Sequence, residues 1–364
     1  VYPNSLRKIN LSNNSIIEIN SLPDKLLYLN ISHNNITSIP NLPLELITLK
    51  CNNNRLEKLP SLPPKLINLN CNNNNLIKLP YLPASLIKLK CKNNKIHSIP
   101  LCPDKLEFIL CSNNILSNLI LPNDLKYLDC NTNEIFGELN MPPLIEYLDC
   151  SRNKINKILL NDNFELKMLK CSDNKLTNLP DISHLNLRLL DCSNNDLTIL
   201  PPLPNCLKNI NCSNNQLIEL PELNDNLKKI NCSYNKLTII KTIPKSVKMI
   251  DCSNNHLSFF PPINDNLISL YCHNNQLTDI FFLTHKIPII SLYNNKFSIL
   301  TSIKKLNIDP DFIDFILDSI ADISYGLLQL INDPYMNNYE FWKKYKLMKQ
   351  CLNNLDNFKP VIIL

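Results

Sequence analysis

Glycine is almost missing from this chain, at two residues in 364. That leaves no glycine-rich loop whose bare backbone could cradle phosphates, so nucleotide binding is not expected. Long apolar runs are missing too: nothing approaches the stretch of about 18 apolar residues that a membrane-spanning helix needs. The opening, VYPNSLRKI, lacks the pattern of a secretory or targeting leader, although a first residue of Val leaves a trimmed N-terminus open. No charge of one sign dominates. Against 37 Lys and Arg stand 32 Asp and Glu, a net charge of +5, and so small an excess over so long a chain predicts no nucleic-acid partner. Signatures of catalysis and metal binding are lacking as well: no C-x-x-C, no H-x-x-x-H and no Ser/His/Asp group, with the six His scattered along the chain. No cofactor is expected.

What is plentiful is Pro, at 26 residues, Cys, at 15, and Asn, and they recur in order. Leu86, Leu89, Cys91, Asn94 and Ile96 follow the spacing L-x-x-L-x-C-x-x-N-x-I. Twenty residues earlier Leu66, Leu69, Cys71, Asn74 and Leu76 repeat it, and twenty later Leu106, Ile109, Cys111, Asn114 and Leu116 do so again. The cysteine position runs through Leu11, Ile31, Cys51, Cys71, Cys91, Cys111, Cys130, Cys150, Cys171, Cys192, Cys212, Cys232, Cys252, Cys272 and Leu292. That is fifteen repeats, stepped by 20 residues except for one step of 19 and two of 21, and an Asn stands three residues after every one. A period of this size with this strand pattern marks a leucine-rich repeat, which overrides the expectation of two or three globular domains.

Each column has a physical task. Leu49 and Cys51 alternate along a short strand and share one face, so with Leu46 and Leu56 they stack on their counterparts in a continuous core. Successive strands form a parallel sheet at a spacing of about 4.8 Å. The repeated Asn follows the strand where the chain turns inward. Its two amide donors and its oxygen are suited to satisfying backbone groups of its own turn and the next. Part of the remaining Asn is compositional. The other half of each repeat, as in LEKLPSLPPK at 56–65, reads as extended and polyproline-like, because Pro60 and Pro63 lack an amide donor and hold φ near −65°. Repeats seven to nine depart from this: FGELNMPPLIEY at 136–147 keeps one Pro pair, NKILLNDNFELKM at 156–168 has none, and Gly137 suggests a local turn.

The expected fold class is therefore an α/β solenoid dominated by a short-strand parallel sheet, with an extended convex side and a C-terminal helical cap. Residues 1–305 form the solenoid and 306–364 the cap. The cap is read from Asp309-Pro310 as a helix start, from Phe312, Ile313, Ile316, Leu317 and Ile320 at helical spacing, and from a second start at Asp333-Pro334. A separate partner-binding element is the alternative for this tail.

Leu59, Pro60, Leu62, Pro63, Leu66, Leu69, Asn74 and Leu76 make a spacing that resembles the short leucine-rich repeats of bacterial type III effectors of the YopM and IpaH kind. The resemblance covers about residues 6–300. It implies a protein-binding scaffold working in the cytoplasm of a host cell. The sequence has no counterpart of the helical hairpin before YopM-like repeats, nor of the ubiquitin-ligase domain after IpaH-like ones, so ligase activity is not carried over. Such repeats also resemble those of amoeba-infecting giant DNA viruses, and the Asn/Lys/Ile-rich composition looks like that encoded by their AT-rich genomes; that implies a viral source, and a place in the virion as an alternative.

Twelve of the Cys lie in the inward column, where a thiol acts as a small hydrophobe. They are expected to be buried and reduced, consistent with a reducing compartment. Cys102, Cys206 and Cys351 lie outside it. Function is sought on the outward strand positions. Repeats six to ten bring together Phe108, Leu110, Tyr127, Tyr147, Met168 and Leu189, beside Asp129, Asp149 and Asp191. Aromatic and aliphatic anchors with polar neighbours make a protein-binding hot spot; the alternative is that Tyr and Phe are here as strand formers. Lys50, Lys88, Lys90 and Lys92 form a smaller basic patch, either solvated or facing an acidic partner. The expected function is a non-enzymatic scaffold for a protein partner, with lateral self-association into a structural assembly as the alternative, and with neither nucleic acid nor membrane as partner.

Overall fold

A computed structural model describes residues 3, 5–160, 165–279, 282–283 and 287–297. Fifteen strands of three residues each, from Lys8–Asn10 to Ile289–Ser291, form one parallel sheet. Neighbours in the sheet are neighbours in the repeat order, and pairing is in register throughout, as in Tyr127↔Tyr147, Leu128↔Leu148 and Asp129↔Asp149. The strands are short because each is pinned at both ends. At the start a turn closes on Pro: the Leu66 amide donates to the Pro63 carbonyl at 3.1 Å, and Leu86 to Pro83 at 3.0 Å. At the end the chain bends inward after the cysteine column. Leu46, Leu49, Cys51 and Leu56 are wholly buried, and so are their counterparts through most of the array. Among the described residues there is no helix, so this part is a β-solenoid rather than α/β. The expected cap over 306–364 lies outside the described residues.

The repeated Asn does what its chemistry predicts, once per repeat. Asn74 Nδ2 donates to the carbonyls of Cys51, Cys71 and Asn72 at 3.0, 3.1 and 3.2 Å, and its Oδ1 accepts the Leu56 amide at 3.0 Å. Cys51 and Leu56 belong to the preceding repeat, so from the second repeat on each Asn ties two layers together.

A second Asn column has a different origin. The residue just before the ladder Asn takes a left-handed backbone in all fifteen repeats, with φ between 53° and 58°. L-residues other than Asn, Asp and Gly are strained there. In a chain with two glycines the position falls to Asn in ten repeats, from Asn13 to Asn294. Side chains of this column stack as an amide ladder, with Asn73 Nδ2 donating to Asn53 Oδ1 at 2.7 Å. Thr132 is β-branched and sits at φ 54°. Thr132→Asn is expected to stabilise the protein by about 0.5–1 kcal/mol, read as a raised denaturation midpoint; an unchanged or lower midpoint would remove strain as the reason for the Asn.

Repeats seven and eight build a second, two-stranded parallel sheet, Phe136–Asn140 with Lys154–Leu159, whose register slips between Ile155 and Lys157. In many repeats this position is followed by Pro, as the buried Leu59 is by Pro60, which has no donor to give. Here the buried Leu139 and Ile158 are followed by Asn140 and Leu159, and the freed amides pair. Gly137, at φ 79°, lies within this sheet rather than in a turn.

Candidate protein-binding surface

Because residues 48 and 50 of the third repeat flank a buried Leu49, the first and third residues of every strand face outward together. In register, the first positions align Phe108, Tyr127, Tyr147, Met168 and Leu189 across repeats six to ten. Phe108 and Tyr127 stack with ring centroids 4.5 Å apart and planes 20° off parallel; Tyr127 and Tyr147 are 5.6 Å apart at 30°. The Lys90 ammonium lies 5.5 Å from the Phe108 ring centre. Burial, then Asp129 and Asp149, push the Tyr127 hydroxyl pKa upward, so it stays protonated as a donor.

The third positions align Leu110, Asp129, Asp149, Lys170 and Asp191, which places Lys170 between two aspartates. These carboxylates also hold their own turns. Asp149 Oδ1 accepts the Ser151 amide at 3.1 Å, and Asp191 Oδ1 accepts both the amide and the hydroxyl of Ser193, at 3.2 and 2.7 Å. Asp129 accepts from the Asn131 side chain at 2.7 Å and from Ser112 Oγ at 3.0 Å. Asn30, Asn211 and Asn231 make the same turn with Ser32, Ser213 and Ser233. An outward Asp or Asn two residues before a Ser was the signal for this turn. Both oxygens of Asp129 are used in this way, whereas Asp149 and Asp191 use only Oδ1. Burial, the largest influence, raises the Asp129 pKa, against the hydrogen bonds from Asn131 and Ser112.

All fourteen described Cys are free thiols, and the twelve in the column are buried. Several point weakly at the next repeat, as Cys71 Sγ does toward the Lys90 carbonyl at 3.4 Å. Desolvation pushes Cys51 and Cys212 up to about 12. Cys102 and Cys206 are half-buried, and Cys351 lies outside the described residues. His33 joins the amide ladder through Asn53, and His273 stacks on Tyr293 at 4.4 Å.

Fifteen in-register strands, an inward Leu/Cys ladder and an Asn ladder beneath an open outward face define a short-repeat leucine-rich repeat protein. No protein-family model matches the chain, and comparison with curated proteins found no match. Solved structures do match. YopM from Yersinia enterocolitica WA-314 is 30% identical with a TM-score of 0.77, over 81% of this chain and 66% of that one. YopM from Yersinia pestis, described as a leucine-rich effector protein, is 30% identical with a TM-score of 0.66, over 78% of this chain and 80% of that one. The functional domain of InlJ from Listeria monocytogenes, described as including a cysteine ladder, is 27% identical with a TM-score of 0.66, over 80% of this chain and 74% of that one. The chain belongs to the short-repeat leucine-rich repeat family of YopM. Repeats of that effector type generally mediate protein interactions, and no catalytic domain is seen among the described residues.

Proposed function

We propose that this protein is a non-catalytic scaffold that holds a protein partner on the concave face of repeats six to ten. The observation that carries the reading is the aromatic row: Phe108, Tyr127 and Tyr147 stack in sequence, with Tyr147 36% exposed. Leu110, Met168 and Leu189 extend the apolar area. Asp149 and Asp191 orient basic groups of the partner with the oxygens left over from their turns, and Asp129, both of whose oxygens already accept, adds its charge beside them. Strands locked in register lose little entropy on binding, so such a face is preorganised. On this reading the protein acts in the cytoplasm of a host cell; its likeness to an effector and its free thiols, which suit a reducing compartment, support that.

The test is the double variant Tyr127→Ala, Tyr147→Ala, compared with the unaltered protein for recovery of specific partners from host-cell lysate and for affinity toward the partner recovered. A true anchor costs at least about 2 kcal/mol, roughly thirtyfold in affinity, while circular dichroism is expected to be unchanged because both rings point outward. Undiminished recovery of every partner would reject this face. Loss only when the array's edges are altered would turn the reading to lateral assembly.

A further inference from the structure

The position four residues before the inward column lies at the rim of the concave face, where the chain enters each strand. Its character changes along the array. In repeats two to five it is Leu27, Ile47, Ile67 and Ile87, each half-buried. In repeats six to nine it alternates as Glu107, Lys126, Glu146 and Lys167, and the charges pair across layers: Lys126 with Glu107 at 3.2 Å and Lys167 with Glu146 at 2.6 Å. In repeats ten to thirteen it is Arg188, Lys208, Lys228 and Lys248, all exposed. Their backbones are stacked directly, with the Lys208 amide donating to the Arg188 carbonyl at 3.0 Å, Lys228 to Lys208 at 2.8 Å and Lys248 to Lys228 at 2.9 Å.

Four like charges therefore stand one per layer, about 4.8 Å apart, along about 14 Å. Among the described residues none of the four has a carboxylate within ion-pair distance. Like charges directly opposite on neighbouring strands destabilise a sheet. The same column four repeats earlier shows the arrangement that cancels this repulsion, so the unpaired run is a cost that an external anion would relieve. Lys229 adds a fifth cation one residue along, while Asp191 and Asp251, three residues along, accept from Ser193 and Ser253.

We infer that the rim of Arg188, Lys208, Lys228 and Lys248 docks an extended acidic segment of a partner protein that runs across the repeats. Acidic side chains on alternate residues of an extended chain recur every 6.5–7 Å or so, and two or three of them span the rim. A nucleic acid fits less well. Single-strand sites add aromatic platforms to their basic groove, and the strand positions beside this rim are Leu189, Asn209, Lys229 and Met249. This inference stands apart from the aromatic face, since it needs none of Phe108, Tyr127 or Tyr147.

The test uses the full chain and three labelled probes: a peptide of about ten residues alternating Glu and Thr, the same peptide with Gln for Glu, and oligothymidylate of similar length. The Glu peptide is expected to bind at 50 mM salt, to weaken at least about tenfold by 300 mM as screening shortens, and to weaken at least about tenfold in Lys208→Gln, Lys228→Gln, Lys248→Gln. The Gln peptide is expected not to bind. The triple variant should melt no lower than the parent at low salt, because repulsion has been removed. Tyr127→Ala, Tyr147→Ala should bind the Glu peptide as the parent does, which separates failure here from failure of the aromatic face. No binding of the Glu peptide at 50 mM, or binding indifferent to the triple variant, overturns the inference. Tighter, triple-sensitive binding of oligothymidylate overturns it in favour of a nucleic-acid rim.

Discussion

Asn235→Leu is expected to destabilise the middle of the array by about 3–5 kcal/mol, far more than a surface Asn could. The side chain is buried, and Nδ2 donates to the carbonyls of Cys212, Cys232 and Ser233 at 3.0, 3.1 and 3.1 Å, while Oδ1 accepts the Leu217 amide at 3.0 Å. Leu leaves one amide and three carbonyls short of a partner where water cannot reach, at about 1–3 kcal/mol for each group fully orphaned. Neighbouring layers then separate, since Cys212 and Leu217 belong to the repeat before. Asn235→Asp keeps the bond from Leu217 but sets a carboxylate against three carbonyl oxygens. That carboxyl titrates above its unfolded value, so the Asp variant is most stable when protonated. Its stability falls as pH rises from about 3.9 through the raised folded value. Asn214, in the left-handed column of the preceding repeat at φ 54°, is the contrast: Asn214→Gly is expected to change stability by less than about 1 kcal/mol, because glycine adopts that backbone freely. Denaturant titration of the three variants at pH 4 and 7 checks this. A cost for Asn235→Leu no larger than for Asn214→Gly would show that the inter-layer bonds are dispensable.

That contrast also shows where sequence reasoning stops. The inward column, the strand register and the ladder Asn were legible because each repeat must solve the same burial problem, and fifteen solutions in phase reveal it. The left-handed column was not, since an Asn chosen for its backbone looks the same as an Asn chosen for its side chain; only His33, Thr132, Arg152, Asp173 and Tyr234 in the same column show that a side-chain amide is not the requirement. Asp129, Asp149 and Asp191 read as free surface charges, whereas part of each carboxylate closes a turn. The side sheet at 136–140 and 154–159 needs free amides in two adjacent layers, and pairing across layers is invisible to a pattern read along one layer. Net charge misled in a similar way. A total of +5 says nothing of Arg188, Lys208, Lys228 and Lys248 standing in line, because the sum discards position.

The thiol column has the largest expected consequence, a steep loss of stability in mild alkali. Burial raises the pKa of Cys51, Cys71, Cys91, Cys111, Cys130, Cys150, Cys171, Cys192, Cys212, Cys232 and Cys252, with Cys51 and Cys212 reaching about 12. In the unfolded chain the same thiols ionise near pH 8.5. Above that pH the folded state binds more protons than the unfolded one, so stability falls as pH rises; below it the thiols are protonated in both states and contribute no slope. At pH 9.5, one unit past the unfolded value, each thiol costs about 1.4 kcal/mol. Eleven costs in parallel come to roughly 15 kcal/mol for an array that unfolds as one, comparable to the whole stability of an ordinary domain at about 5–15 kcal/mol. Unfolding between about pH 9 and 9.5 is therefore expected at room temperature, before most Tyr and Lys titrate near 10. Cys212→Leu with Cys232→Leu removes two ionisable groups while keeping a residue type that Leu11 and Leu292 already place in this column, so the slope of stability against pH should fall by two protons whatever the change in its level. Native Cys51 at pH 8 should react with a soluble thiol reagent about a thousandfold more slowly than an exposed thiol, from its thiolate fraction alone. Stability that stays level from pH 8 to 10, or a slope unmoved by the double Leu variant, would mean that the column does not hold its protons through burial.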